Sequence, residues 1–252
     1  MNNIVESFTT TSEDGRPIES HYIYFNDCDL LNPLVNNYQQ IKNEFLTRID
    51  NEQTDAENSN IQIGKKANYI TDAFTQPLYV GDFKSMPLML RNILIDRHEA
   101  ISMKWDDWNT VNGKQVRFWH ERLDAMPTLD AWLSDKLDII GGLIFNIAIP
   151  GSKLNHHYGL HPNYIRLHLT LKGAKGCFFD IENERHEWVD GELFGFDDCN
   201  VFHGTKHTGD EPRIVLLIDI LKSAVKPYAK TWPCRMNIAR SRRPKIIIAS
   251  DW

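Results

Sequence analysis

The run Tyr164-Ile165-Arg166-Leu167-His168-Leu169-Thr170-Leu171 constrains this chain more than any other part of it. In an extended strand, side chains at i and i+2 share a face. Tyr164, Arg166, His168 and Thr170 therefore point one way, and Ile165, Leu167, Leu169 and Leu171 the other. A strand with one purely apolar face and one face bearing Arg and His serves a polar interior. The run from Arg213 to Leu221 repeats the pattern, with Arg213, Val215 and Leu217 opposing Ile214, Leu216 and Ile218. Arg213 is thus aimed among aliphatic neighbours, where an unpaired guanidinium is costly, and an anionic partner is expected for it.

Further strands are predicted over Gly141 to Ile149, Cys177 to Ile181, His186 to Val189 and Glu192 to Phe196. Pro150-Gly151, Lys172-Gly173, Asn183-Glu184 and Asp190-Gly191 supply turn chemistry between them. Many short strands with hairpin punctuation indicate a barrel-like sandwich. Before residue 140 the character is different. Leu34, Tyr38, Ile41, Phe45 and Leu46 form the stripe of an amphipathic helix over Pro33 to Ile49, with Asn32 as its cap and Pro33 at its first position. The polar stretch Asp50 to Asn60 reads as a loop. Further helices are expected between Pro87 and Ile101 and between Pro127 and Leu137, all packed outside one sheet. Trp105, Trp108 and Trp119 read as core or lid aromatics.

Hydrophobic residues at 42% and charged residues at 25% suit a globular domain with a substantial core. The formal charge of −6 gives no reason to expect a nucleic-acid partner. From residue 223 onward seven basic residues face the single acid Asp251, a basic tail read as solvated or docked on its own protein. The four cysteines, Cys28, Cys177, Cys199 and Cys234, form no C-x-x-C pair, so reduced thiols are expected. No apolar stretch is long enough to span a bilayer, and the polar start lacks the form of a signal peptide. The expectation is a cytoplasmic protein with no membrane partner.

Several residues carry chemistry. His157-Tyr158-Gly159, Arg166-Leu167-His168, Phe196-Asp197-Asp198-Cys199, His203 and Arg213 offer two imidazoles for one metal and a guanidinium for a carboxylate. Read on composition, the His-rich run from His156 to His161 is an ordinary loop of surface imidazoles, and His203 and His207 are solvated loop residues.

In order and spacing these elements resemble the aspartyl/asparaginyl β-hydroxylase family, whose core reads His-x-Gly, Arg-x-His, Phe-Asp-Asp-Ser leading to a second ligand His, and then Arg on the last strand. The likeness covers roughly residues 140 to 222. Three features depart from the family pattern: Cys199 stands for the usual Ser, one extra residue lies between the Asp pair and His203, and Asn146 stands where a Ser is expected.

The resemblance implies a double-stranded β-helix, a jelly-roll or cupin-like relative, as the catalytic core over 140–222. Residues 1–139 then form an N-terminal helical elaboration packed on it and 223–252 the basic tail, in one globular unit. It also implies Fe(II) held by His157 and His203, with His156 turned away by alternation and one Asp of the 197–198 pair supporting a ligand His. The co-substrate 2-oxoglutarate is held by Arg213, with Arg166, His168 and Asn146 in co-substrate or substrate binding. The implied activity is dioxygen-dependent hydroxylation of a small-molecule or peptidyl amino-acid substrate, with decarboxylation of 2-oxoglutarate to succinate. Gly159 stands where a ligating carboxylate is usual, so a halogenase using that position for chloride is an alternative. A non-catalytic cupin-like binding domain is another.

Overall fold

The computed structural model describes residues 20–59, 79–80, 83–91, 109–111, 114–159, 162–230 and 232. In chain order they form α1 (Asn32–Asn36), α2 (Tyr38–Ser59), β1 (Tyr79–Val80), β2 (Phe83–Arg91), β3 (Asn109–Val111), β4 (Lys114–Phe118), α3 (His120–Asp124) and α4 (Pro127–Leu133). The strands β5 (Ile140–Ala148), β6 (Lys153–His157), β7 (Tyr164–Lys172), β8 (Cys177–Ile181), β9 (Glu184–Glu187), β10 (Leu193–Phe196), β11 (His203–His207) and β12 (Arg213–Leu221) follow, and then α5 (Lys222–Val225).

Strands β5 to β12 alternate between two antiparallel sheets, except that the hairpin β8–β9 stays in one of them. One runs β10-β7-β12-β5 and is extended by β2, β4 and β3; the other runs β6-β11-β8-β9 with β1 at its edge. This alternation is a double-stranded β-helix, the mainly β jelly-roll expected from the sequence. Hairpins take their shape from the predicted turns: Gly151 and Gly191 adopt φ of +81° and +78°, which side chains with a Cβ rarely accept.

Two cores sit on opposite faces of the larger sheet. Leu167, Leu169 and Leu171 of β7 and Ile214, Leu216 and Ile218 of β12 pack outward against Leu34, Ile41 and Phe45, as the helices-outside expectation requires. Phe45 stacks on Phe145 of β5 with centroids 4.2 Å apart. The second core fills the space between the sheets with Phe179, Trp188, Phe194, Phe196 and Val215. The alternation in β7 thus separates a dry helix-facing layer from the barrel interior.

Four sequence expectations need correction. The helix expected between Pro87 and Ile101 does not start at Pro87: β2 runs through Pro87 to Arg91 and pairs with β5, with a register slip between Pro87 and Met89. A bulge of this kind is where a sheet tolerates a proline, which has no N–H for the ladder. Asn32 is the first residue of α1 rather than its cap, because Leu31 occupies the capping position. The polar stretch read as a loop from Asp50 continues as helix to Ser59. Leu46, placed on the buried stripe, is 37% exposed. Residues 92–101, Trp105, Trp108 and everything after residue 232 lie outside the described residues. Among the described residues no helix is long and apolar enough to cross a membrane.

Candidate metal centre and anion pocket

Strand pairing brings the two predicted ligand histidines together. In the antiparallel pair β6–β11, His157 lies directly opposite His203. Beyond this pair the register slips, so that Asn155 and His156 together face Gly204. Gly204 has to be bare here, since a Cβ on it would lie 2.8 Å from the Leu154 carbonyl oxygen and 2.9 Å from His156 Nδ1. The bulge turns His156 aside and aims His157 inward, a common way to direct a side chain at a site. The ring centroids of His157 and His203 are 4.3 Å apart.

Each imidazole is locked by its own strand. Nδ1 of His157 lies 2.9 Å from the Asn155 carbonyl, and Nδ1 of His203 lies 3.0 Å from that of Val201. A carbonyl only accepts, so Nδ1 carries the proton in each ring and Nε2 the lone pair. A backbone acceptor on one nitrogen is the usual way of fixing the other for a metal.

The third member is Asp198, in the turn after β10. One ligand atom each from His157, Asp198 and His203 lie within 4.8 Å of one another, and all three residues are buried. Asp198 Oδ1 approaches His203 Nε2 to 3.2 Å. A carboxylate oxygen facing an unprotonated nitrogen sets lone pair against lone pair, an arrangement that a cation between them reconciles. Asp198 also fills the space beside Gly159: a Cβ there would lie 1.4 Å from Asp198 Oδ2. The Gly159 N–H donates to the Asp198 carbonyl at 2.6 Å. The carboxylate of Asp198 therefore lies where the first atom of a side chain at position 159 would be. Asp197 turns away, accepting from Lys222 Nζ at 2.6 Å and from Asn200 Nδ2 at 2.7 Å.

Arg166 is directed at protein carboxylates. Its Nε and Nη2 donate to the two oxygens of Asp219 at 2.8 and 3.0 Å, and Nη1 donates to Asp198 Oδ1 at 3.0 Å. The carboxylate partner sought for it in a substrate is supplied by the chain itself. Deeper between the sheets, Arg213 is 2% exposed. It donates to the Asn146 amide oxygen at 3.0 Å and lies over the Trp188 ring at 4.5 Å from the centroid. Trp188 in turn donates to His168 Nδ1 at 3.2 Å. His168 is walled by Phe179, Phe194 and Phe196, and Phe179 and Phe196 also pack on His203. An aromatic wall thus joins the metal-capable triad to the Arg213 end. Thr170, two residues beyond His168 on the same face, is fully buried, and its hydroxyl has no hydrogen-bond partner among the described residues.

Electrostatics follows from burial. Desolvation pushes His157 down to about 3. Burial, aided by Arg213 and Arg166, holds His168 well below its ordinary range. Burial works to raise the Asp198 carboxyl, but opposing interactions led by the Arg166 guanidinium hold it well below the usual carboxylate range. His157 therefore stays neutral in the folded chain to about pH 3, while in the unfolded chain it titrates near 6.5. Between these values the unfolded state binds more protons, so stability is fully present above about 6.5 and falls as the pH drops toward 3. The loss reaches about 1.4 kcal/mol per pH unit for such a group. Metal-free protein should melt at a lower temperature at pH 5 than at pH 7. The slope should be shallower in His157→Asn, and equal slopes in the two proteins would count against a buried neutral His157.

The sequence placed one Asp of the 197–198 pair in support of a ligand His, and the structure brings Asp198 to the two histidines. Sequence reasoning gave no role to Asp219 or Trp188, and it placed Thr170 on the polar face of its strand without assigning it one. Asp219 left one signal, a lone acid in the apolar run Ile214 to Ile220 on the same strand face as Arg213. His207 is a loop staple, its Nε2 2.7 Å from the Glu211 carbonyl and its Nδ1 accepting from Gly209 at 3.2 Å. Cys28, Cys177 and Cys199 form no disulfide. His161 and Cys234 lie outside the described residues.

Known proteins resemble this chain at several levels. Aspartate beta-hydroxylase domain-containing protein 2 of Homo sapiens is 33% identical over 86 residues, which are 33% of this chain and 23% of that protein. Aspartate beta-hydroxylase domain-containing protein 1 of Mus musculus is 31% identical over 83 residues, or 32% of this chain and 23% of that protein. The chain thus spans about a quarter of the length of these curated relatives. Among solved structures, a cupin-like protein of Thermotoga maritima aligns with a TM-score of 0.36 and 11% identity over 65% of this chain and 82% of that one. A viral collagen prolyl hydroxylase from Paramecium Bursaria Chlorella virus-1 aligns with a TM-score of 0.29 and 15% identity, over 45% of this chain and 75% of that one. The family profile described as Aspartyl/Asparaginyl beta-hydroxylase matches residues 35–223, a span that holds the triad, Arg166, Asp219 and Arg213. The chain belongs to the aspartyl/asparaginyl β-hydroxylase family.

Proposed function

We propose that this protein is an Fe(II)- and 2-oxoglutarate-dependent oxygenase that hydroxylates an amino-acid-like or peptidyl substrate. The observation that carries the reading is the convergence of His157, Asp198 and His203 between the sheets of a jelly roll that also encloses a buried arginine. The donor set fits the ion: two neutral nitrogens and one carboxylate are the facial set that suits non-haem Fe(II) and leaves further positions open. The side chains at the Arg213 end fit the co-substrate as well, because the buried Thr170 hydroxyl lacks a partner among the described residues and lies on the interior face that His168 shares.

His157 and His203 would hold the metal through Nε2, with the Asp198 carboxylate beside them. Arg213 pairs with the distal carboxylate of 2-oxoglutarate, oriented by Asn146 from one side and the Trp188 face from the other. The buried Thr170 hydroxyl would be a further donor for that carboxylate. Asn146 is itself placed by Ser85 of β2, whose hydroxyl accepts from its amide at 3.2 Å. Phe179, Phe194, Phe196 and Trp188 keep water from the path between the two ends. When bound, iron and 2-oxoglutarate together supply the activation of dioxygen; the chain contributes position, charge pairing and exclusion of water. Arg166 is committed to Asp219 and Asp198, so the preference for an amino-acid-like substrate rests on family membership rather than on this guanidinium.

Calorimetry with Fe(II) replaced by an inert divalent ion tests the co-substrate assignment. A charge-assisted hydrogen bond contributes about 1.5–3 kcal/mol, so Arg213→Ala should weaken 2-oxoglutarate binding by roughly 10- to 150-fold. Unchanged affinity would mean that another cation holds the anion. Consumption of 2-oxoglutarate with formation of succinate separates an oxygenase from a silent cupin-like binding domain.

A further inference from the structure

We propose that Glu182 is a positioning residue for the metal ligand His203, acting through the peptide unit between Val201 and Phe202, an inference that rests on the reading of His203 as a ligand. Glu182 opens the turn between β8 and β9, and the register that sets Ile181 opposite His203 brings it alongside Phe202. The Glu182 N–H donates to the Phe202 carbonyl at 2.8 Å, and the Phe202 N–H donates to Glu182 Oε1, also at 2.8 Å. The Phe202 N–H and the Val201 carbonyl belong to one trans peptide, a planar unit in which the two groups point opposite ways. At one end stands the Glu182 carboxylate; at the other, the Val201 carbonyl accepts from Nδ1 of His203 at 3.0 Å. A carboxylate that grips the N–H therefore fixes the carbonyl that fixes the imidazole. It also makes that carbonyl a better acceptor, since hydrogen bonds in a chain polarise one another. The link is of the carboxylate–histidine kind that orients metal ligands, with a peptide inserted between the two groups.

Two observations mark this as more than turn packing. Glu182 has a φ of +52°, and among the described residues no other non-glycine residue has a positive φ. A glycine would adopt that conformation without strain but has no side chain to offer the Phe202 N–H. Strain of this kind persists where the surroundings impose it, and it gathers around functional sites. The second observation is the turn that leads to His203, which carries one residue more than the family pattern. The clasp closes this longer turn one residue before the ligand. The Phe202 ring then lies against His156 and Tyr158, with centroids 5.2 and 5.3 Å away, and these are the chain neighbours of His157. The segments that bear the two ligand histidines are thus tied together at the residue that Glu182 holds.

Mn(II) affinity, measured by calorimetry on the full chain without co-substrate, tests the link in wild type, Glu182→Gly and Glu182→Gln. Glycine removes the carboxylate and the strain together, so a mere turn residue could be replaced by it with no loss of metal or of melting temperature. Loss of a partner that orients a metal ligand typically lowers affinity by roughly 10- to 100-fold, and Glu182→Gly should do so here. Glu182→Gln keeps an acceptor oxygen for the Phe202 N–H and should stay closer to the wild type than to Glu182→Gly. In the metal-free proteins the Nδ1 proton of His203, followed by NMR, should move upfield in Glu182→Gly as its hydrogen bond weakens. Undiminished affinity in Glu182→Gly, or an equal loss in Glu182→Gln, overturns the inference. If Glu182→Gly fails to fold, Glu182→Asn takes its place with the same expected loss, since Asn also tolerates a positive φ and its side chain is one carbon shorter. A His203→Ala control separates the two levels: if it binds Mn(II) like the wild type, the metal centre itself is overturned, and the inference with it.

Discussion

His203→Ala should leave a folded protein that no longer holds iron and no longer consumes 2-oxoglutarate, and His157→Ala should do the same. Each removes one of three converging donors, so the loss of metal affinity should exceed the roughly 10- to 100-fold that follows loss of a mere supporting partner. The neighbouring histidines make the controls informative. His156→Ala should keep metal binding, because the bulge opposite Gly204 turns His156 to the other side of the sheet from His157. His207→Ala should lose some stability and keep the metal, because both of its ring nitrogens are spent on the loop between β11 and β12. Metal titration of the four variants decides the matter: undiminished affinity in His203→Ala would remove the site from this end of the barrel.

How much of this was legible in the sequence depends on which side of a strand faces oil. β5, β7, β8, β10 and β12 carry apolar or aromatic residues on at least one face, and alternation reveals them. β6 and β11, which bear both histidines, read Lys-Leu-Asn-His-His and His-Gly-Thr-Lys-His, and nothing in them signals a strand. Their inner face serves a polar site and their outer face is polar as well, so the hydrophobic period that marks a half-buried strand is missing. β2 was hidden for another reason. Its Met-Pro-Leu-Met-Leu-Arg run is rich in good helix formers, and pairing with β5 overrides that local preference.

The site was legible as residue types and not as geometry. Two adjacent aspartates in a turn look alike in sequence, yet Lys222 draws one away while Arg166 draws the other to the histidines. Both partners lie on other strands or beyond them, at separations that no local pattern records. Gly159 shows the same limit. In sequence the absence of a side chain there reads as an absent ligand, and only the structure shows that it also clears space for a carboxylate arriving from 39 residues further on, at Asp198.

That clearance yields the second large effect. Gly159→Ala should sharply reduce both metal affinity and stability, because its Cβ would lie 1.4 Å from Asp198 Oδ2 and 2.2 Å from Cγ. The backbone has little room to give, since the Gly159 N–H is bonded to the Asp198 carbonyl at 2.6 Å. The carboxylate has to leave, and with it go the contacts to Arg166 Nη1 and His203 Nε2. Breaking a buried, paired charge in this manner generally costs about 3–5 kcal/mol. Gly159→Asp, which writes the ordinary His-x-Asp ligand pattern, should fare no better, because two carboxylates would then contend for one space. Removing the resident carboxylate reverses the expectation: Gly159→Asp combined with Asp198→Gly should bind Mn(II) more tightly than either single variant, because the ligand has been moved from the turn to the strand end without being duplicated. Thermal melting and metal titration of the three proteins read this directly. If Gly159→Asp alone binds metal and melts like the wild type, both carboxylates fit together, and Asp198 is not the group that fills the third position.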